Sequence, residues 1–295
     1  MMKSKREHIM NTLKLLSILI FINTQVFGQE IPRIKFNHLY LVIDTKDLSA
    51  INNSDFIKNE LAAFEIRTTN ANDSESWTGT YLYGNENCFE LFDSVGFLPK
   101  GSSGIGFSVD HIGELTTLKE SLDKKYITEI FEKKRNVDGH KIPWFDELTI
   151  DDSTFNSDSR FGFWIMEYKK EYFDYKKYPY KNNTLTKEDY LKEKEVNRKN
   201  KILKRFSGVV MKLKTNEKEF LLAYFKNINY VKINENEYLS PDNFRFLIKD
   251  RALNDNNTIE SLEFETTKKI GPKTIKVSAN VSIIIDGKKG LFVFK

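Results

Sequence analysis

One order of elements recurs along this chain and restricts its fold more than any other feature: an alternating strand, an amphipathic helix, then short strands separated by Asn, Asp and Gly. Lys35 to Asp44 (KFNHLYLVID) alternates with period two. Asp47 to Phe64 follows with an apolar stripe at Leu48, Ile51, Phe56, Leu61 and Phe64, and Phe64–Thr69, Gly79–Tyr83 and Cys88–Phe92 read as strands. A second pass runs through Ile105–Asp110, a helix over Glu114–Lys125, Ile142–Asp151 and Phe161–Tyr168, with Pro143 marking an edge or a turn. Residues 169–205 are rich in Lys, Tyr and Asn; Thr186 with Asp189 predicts a capped, solvated, charged helix. Beyond it, Phe206–Leu213, a helix over Glu217–Asn227 and the strands Phe244–Ile248, Ile259–Thr266, Ile275–Ile285 and Gly290–Phe294 repeat the theme, with Asp286-Gly287 as a hairpin turn. The fold class is α+β, built from paired β-α-β-β-β units.

Alternation also sorts side chains by face. Leu39, Leu41 and Ile43 form a covered apolar face, which leaves His38, Tyr40 and Val42 on the other side. Phe89 and Leu91 oppose Cys88, Glu90 and Phe92; Ile105, Phe107 and Val109 oppose Gly104, Gly106 and Ser108. In the strand 163–167, Trp164 and Met166 oppose Phe163, Ile165 and Glu167. Four strands thus offer one concave surface with a histidine, two glutamates and several small residues. Cys88, the single cysteine, forms no internal disulfide and reads as a buried small hydrophobe.

On FNHLYLVID, SWTGTYLYGNENCFELFD, GIGFSVD and FWIMEY, residues 34–170 resemble the vicinal oxygen chelate superfamily, the glyoxalase and bleomycin-resistance fold, and within it a secreted family of unknown function. The resemblance implies a half-open barrel around a divalent metal, with ligands from the first and last strand of each unit. It makes His38, Glu90 and Glu167 the metal ligands for Fe, Mn or Zn, with Glu90 or Glu167 moving a proton as the catalytic group. Tyr40, Gly104, Ser108 and Phe163 line the expected pocket. At the third ligand position this sequence departs from the pattern, because aligning Asp44 with Asp110 puts Gly104 there. His111 has the opposite parity and reads as a turn histidine; His140 reads as a surface residue in the loop with Gly139. The same three groups would also make an ordinary hydrogen-bonded polar cluster.

Residues 1–28 read as an export signal: Lys3, Lys5 and Arg6 precede the apolar run Leu13 to Ile22, too short to span a bilayer, and Gln29 is the expected mature start. Met10 would serve equally as initiator. These residues hold four of the 46 basic and one of the 42 acidic groups, so the remainder stands at 42 against 41, net +1. That near balance offers no basic face for nucleic acid. The expected layout is a glyoxalase-like domain over 29–170, a charged helical linker over 171–205 and a degenerate second domain of the same kind over 206–295. Location is secreted or periplasmic, with no membrane attachment after cleavage. Two functional readings follow. One is a small-molecule binding protein whose concave sheet and aromatics such as Trp77, Tyr81, Tyr83 and Trp144 hold a ligand. The other is a metal-dependent lyase, isomerase or dioxygenase of the superfamily type.

Overall fold

The structure is a computed structural model that describes residues 31–70, 76–96, 98–151, 159–228, 230–252 and 255–295; the expected export signal lies outside the described residues. The first unit comprises β1 (Lys35–Ile43), α1 (Thr45–Asn52), β2 (Ala63–Asn70), β3 (Ser76–Tyr83) and β4 (Cys88–Asp93). The second comprises β5 (Ser103–Ser108), α2 (Glu114–Leu122), β6 (Ile127–Val137), β7 (His140–Asp151) and β8 (Phe161–Tyr168). They share one eight-stranded sheet ordered β2-β3-β4-β1-β5-β8-β7-β6. Within each unit the first and last strands are parallel, and the two first strands, β1 and β5, meet antiparallel at the middle. The units are therefore related by a local twofold, and the sheet curls into a half-open barrel.

Local chemistry explains where elements differ from the sequence expectation. The helix predicted over 47–64 stops at Asn52, and Ser54 Oγ accepts from the Ile57 amide at 3.4 Å to start a separate turn. A single π turn, Phe56–Leu61, then brings Ile57 and Leu61 into the core beside Ile51. Asp138 and Gly139, both at positive φ (51° and 82°), make the two-residue turn that joins β6 to β7 as one long hairpin. Pro143 sits at the register shift of that hairpin, a place where a strand tolerates proline.

The second sheet is built from β9 (Leu203–Leu213), α6 (Thr215–Asn227), β10 (Val231–Asn234), β11 (Glu237–Leu239), β12 (Arg245–Asp250), β13 (Ile259–Lys276) and β14 (Val281–Phe294), ordered β10-β11-β12-β9-β13-β14. Here β9 and β12 are parallel, as β1 and β4 are, and β13 lies antiparallel to β9, as β5 does to β1. After β13 the order is lost: the chain turns near Ser278–Asn280 straight into β14. Asp286-Gly287 is not the turn. Gly287, at φ 64°, lies inside β14 where the register shifts, so its left-handed backbone makes a bulge instead.

Aromatic rings join the two sheets. Phe36 stacks on Phe244 at 3.6 Å, Phe107 meets Phe225, Tyr230 and Phe246, and Phe89 meets Phe206, Phe292 and Phe294. Each such side chain stabilises the fold by about 1.5–3 kcal/mol through burial. The stretch between the sheets corrects the expectation of a solvated helix. It forms short pieces, α3 (Lys170–Lys176), α4 (Lys187–Tyr190) and α5 (Glu195–Arg198), strapped onto the first sheet. Thr186 caps α4 as its sequence implies, accepting from the Asp189 amide at 3.0 Å. Lys187 is 1% exposed, and its Nζ donates to the Phe36 carbonyl and pairs with Asp242 of the second sheet. Among the described residues no helix is long and apolar enough to cross a membrane.

Candidate functional site

Strand register sets out the concave face row by row, since directly opposed residues share a face. One row runs Trp164, Gly106, His38, Cys88, Tyr83; the next runs Gly104, Tyr40, Glu90, Tyr81, Glu65. A third carries Phe92, Gly79 and Arg67. A register shift between Phe36 and His38 turns Phe36 to the inter-sheet core and leaves Asn37 and His38 both on the concave side. The rows form the floor of a cavity of about 290 Å³. Trp144 and Phe145 of β7 and Tyr190 and Leu191 of the strap contribute to its walls. All three tryptophans of the chain, Trp77, Trp144 and Trp164, line it.

The polar groups are few and held. His38 Nε2 lies 3.9 Å from Glu90 Oε1, and its Nδ1 lies 3.0 Å from Asn37 Oδ1. Asn37 in turn donates to the Tyr168 hydroxyl at 3.1 Å. Burial lowers the His38 pKa to about 4, so the ring is neutral at pH 7. Burial raises Glu90 to about 7, against the weaker opposing pull of Arg67. Burial likewise raises the Cys88 thiol well above its ordinary value; it lies 3.9 Å from Glu90 Oε1. Tyr40 is raised to about 12 by burial and by the Glu90 charge. Arg67 is clamped: Nη1 donates to Glu65 at 3.1 Å and to the Tyr83 hydroxyl at 2.9 Å, Nε donates to Thr69 at 3.2 Å, and its guanidinium lies 4.0 Å over the Tyr81 ring.

Of the residues expected at the site from sequence, His38, Glu90 and Tyr40 come together at the cavity floor. Glu167 does not. On β8 it is Trp164, Met166 and Tyr168 that face the cavity, and Glu167 points the other way. Its oxygens accept from the Gly113 amide at 2.9 Å and the Leu115 amide at 2.8 Å, closing the N-terminus of α2. Phe163 packs against α6, 4.6 Å from the Tyr224 ring. Ser108 is fully buried outside the cavity lining. Gly104 leaves no gap, because a Cβ there would meet the Tyr40 ring at 2.4 Å and Trp164 at 2.8 Å. His111 is an exposed turn residue 3.1 Å from the Thr184 hydroxyl, and His140 is exposed. Arg67, Trp164, Tyr168 and Tyr190 were not anticipated. Parity along β2 would have exposed Arg67, which alternates with Glu65 and Thr69; Tyr190 lies in the strap, where no periodicity points inward.

The donor set does not fit a divalent metal held by three protein ligands. The twofold makes Gly104 the counterpart of His38 and Trp164 the counterpart of Glu90, since Tyr40 pairs with Glu90 as Gly106 pairs with Trp164. Only two of the four superfamily positions carry donors, and among the described residues no group of three His, Cys, Asp or Glu side chains is placed to hold an ion.

A model described as a family of unknown function, DUF5829, matches residues 36–294. No curated protein matches the sequence. A hypothetical protein from Staphylococcus aureus, known from its crystal structure, superimposes with a TM-score of 0.51 at 15% identity, over 82% of this chain and 95% of that one. A xylose isomerase-like TIM barrel/4-hydroxyphenylpyruvate dioxygenase fusion protein gives a TM-score of 0.42 at 10% identity, over 84% of this chain and 38% of that one. A putative dioxygenase from Bacillus subtilis subsp. subtilis str. 168 gives 0.30 at 9% identity, over 86% and 81%. The first likeness is one of fold alone, and the other two scores are too low to bear on activity.

Proposed function

Because the chain belongs to the DUF5829 family, whose description assigns no activity, we propose a function from the cavity itself: the protein binds a small, largely apolar molecule between the aromatic walls of its half-open barrel. The observation that carries this is the lining. Rings dominate it, Arg67 is clamped to its own strand, and only His38 and Glu90 remain of the metal-ligand pattern. Export, with residues 1–28 removed, completes the reading; an N-terminal sequence near Gln29 on the recovered protein would support it, and recovery of the full-length chain from the cytosol alone would sink it.

The test uses the chain's own tryptophans. Titration of the purified protein with a small-molecule set should quench their emission saturably, and Trp164→Ala should abolish the response while the protein stays folded. Ligand left chemically unchanged supports binding without turnover. Metal analysis runs alongside: stoichiometric Fe, Mn or Zn that His38→Ala removes would replace this reading with the metal-dependent lyase, isomerase or dioxygenase alternative.

A second reading has one observation in its favour. A buried carboxyl with a pKa of about 7 beside a neutral imidazole is poised to take a proton from a bound molecule and return it. Turnover of a bound compound that Glu90→Gln eliminates without loss of binding would establish it.

A further inference from the structure

The cavity's charges are unequal in how they are answered. Arg67 is matched by Glu65, its Nε and Nη1 are committed, and the Tyr81 ring covers its face. Lys133 and Glu147, on the opposite wall, lie 4.0 Å from each other. Glu90 differs. Among the described residues its carboxylate has no lysine or arginine within ion-pair distance, only the imidazole of His38 and the thiol of Cys88, each at 3.9 Å. Its direct cross-strand neighbours are Tyr40 on one side and Tyr81 on the other. Phe92 packs edge-on against both of these rings, at 5.6 and 6.4 Å, and Trp164 stacks against Tyr40 at 6.0 Å.

Resting on the binding role of the cavity, we infer that its ligand carries a positively charged nitrogen, an ammonium or quaternary ammonium group, seated against Glu90 beside the rings of Tyr40 and Trp164. Two physical effects act on the same atom. The negative faces of aromatic rings attract a cation, and more strongly when water is excluded. A buried carboxylate gains most from a partner charge when the protein places none within ion-pair distance, and Arg67, turned to Glu65, acts on Glu90 only from farther away. A carboxylate ligand would find only Arg67, two of whose three donor nitrogens are committed, and Glu90 would repel it. A neutral ligand would fill the space and leave Glu90 unanswered.

The probes are choline, its neutral carbon isostere 3,3-dimethylbutan-1-ol, and phenylacetate, each followed by tryptophan quenching at pH 8, where Glu90 is largely ionised. Choline should bind at least about tenfold more tightly than the isosteric alcohol. Glu90→Gln should erase that ratio and leave the alcohol's affinity within about twofold. Equal binding of choline and the alcohol, or tighter binding of phenylacetate, overturns the cationic ligand and leaves the binding role standing. Silence of all three on folded protein overturns the inference, and the wider small-molecule titration then decides the binding role separately. Should Glu90→Gln fail to fold, the ratios measured on the unmodified protein decide alone.

Discussion

The two halves of the eight-stranded sheet are built to one plan and used differently. Where the first unit places His38, Tyr40 and Glu90 on the concave face, the second places Gly104, Gly106 and Trp164. The glycines follow from what lies on them: a Cβ at Gly106 would come within 2.5 Å of the His38 ring, and one at Gly104 within 2.4 Å of Tyr40. On these rows the first half supplies the polar groups, and the second is pared to backbone and one indole so that the first half's rings can lie across it. Its other side chains enter the cavity from β6, β7 and farther along β8. A duplicated fold thus offers four equivalent positions without filling them equivalently, and an asymmetric pocket results.

Helix capping separates the halves most sharply. In the first unit Asp44 caps α1, accepting from the Asp47 amide at 2.9 Å. Its counterpart Asp110 is paired with Lys35 instead, and α2 is closed from β8 by Glu167. Glu167→Ala strands two amides at a helix end, one of them buried, and should lower stability by about 3–5 kcal/mol, the largest effect expected here. Chemical denaturation measures it. A loss below about 1 kcal/mol would show that the two helix ends do not depend on different strands.

A pH series sets the two polar floor residues against each other. The His38 pKa falls from 6.5 in the unfolded chain to about 4, so the unfolded state binds more protons in that window and stability rises with pH between about 4 and 6.5. The Glu90 pKa rises from 4.5 to about 7, so the folded state binds more protons and stability falls between about 4.5 and 7. The slopes oppose, and the intact protein should be nearly flat across their overlap. His38→Ala should unmask the fall and Glu90→Gln the rise, each on the order of 3 kcal/mol at most. Two variants with the same slope would refute the assignment.

Gly104→Ala tests the pared half directly. Overpacking against Tyr40 and Trp164 should cost about 1–3 kcal/mol and alter tryptophan emission. The same change at Gly162, beside which a Cβ meets nothing within 4 Å, should cost less.

Much of this was legible from residues alone. The parity of β1, β4 and β5 placed His38, Tyr40 and Glu90 on one face, and the repeated element order gave the paired units. What failed has local causes. Superfamily position points to Glu167, yet register puts Trp164 at the counterpart of Glu90, and alternation cannot say which face of β8 is concave when both carry aromatics. Asp286-Gly287 and Asp138-Gly139 are chemically the same dipeptide; one makes a bulge and the other a turn, a difference set by strand pairing far away in sequence. Lys187 reads as solvated because its partners, the Phe36 carbonyl and Asp242, are 151 and 55 residues distant.

The smallest expected effect has a sign that distinguishes a pocket residue from a packing one. Ser108 shares parity with Gly104 and Gly106, which is why it reads as part of the pocket, but its Cα partners Lys35 and Met166 place it at the end of β5, away from the cavity lining. Its side chain is fully buried, and among the described residues Oγ has no hydrogen-bond partner. A buried hydroxyl without a partner loses its hydration and gains nothing in return, so deleting the oxygen removes a penalty at the expense of very little packing. Its counterpart in the first unit under the same alignment is Val42, fully buried and apolar, which shows that the position accepts a side chain with no polar atom. Ser108→Ala should therefore leave stability unchanged or raise it by up to about 1 kcal/mol, with ligand-induced quenching unaltered. A loss of stability, or a change in quenching, would return Ser108 to the pocket and make the two halves more alike than the register implies.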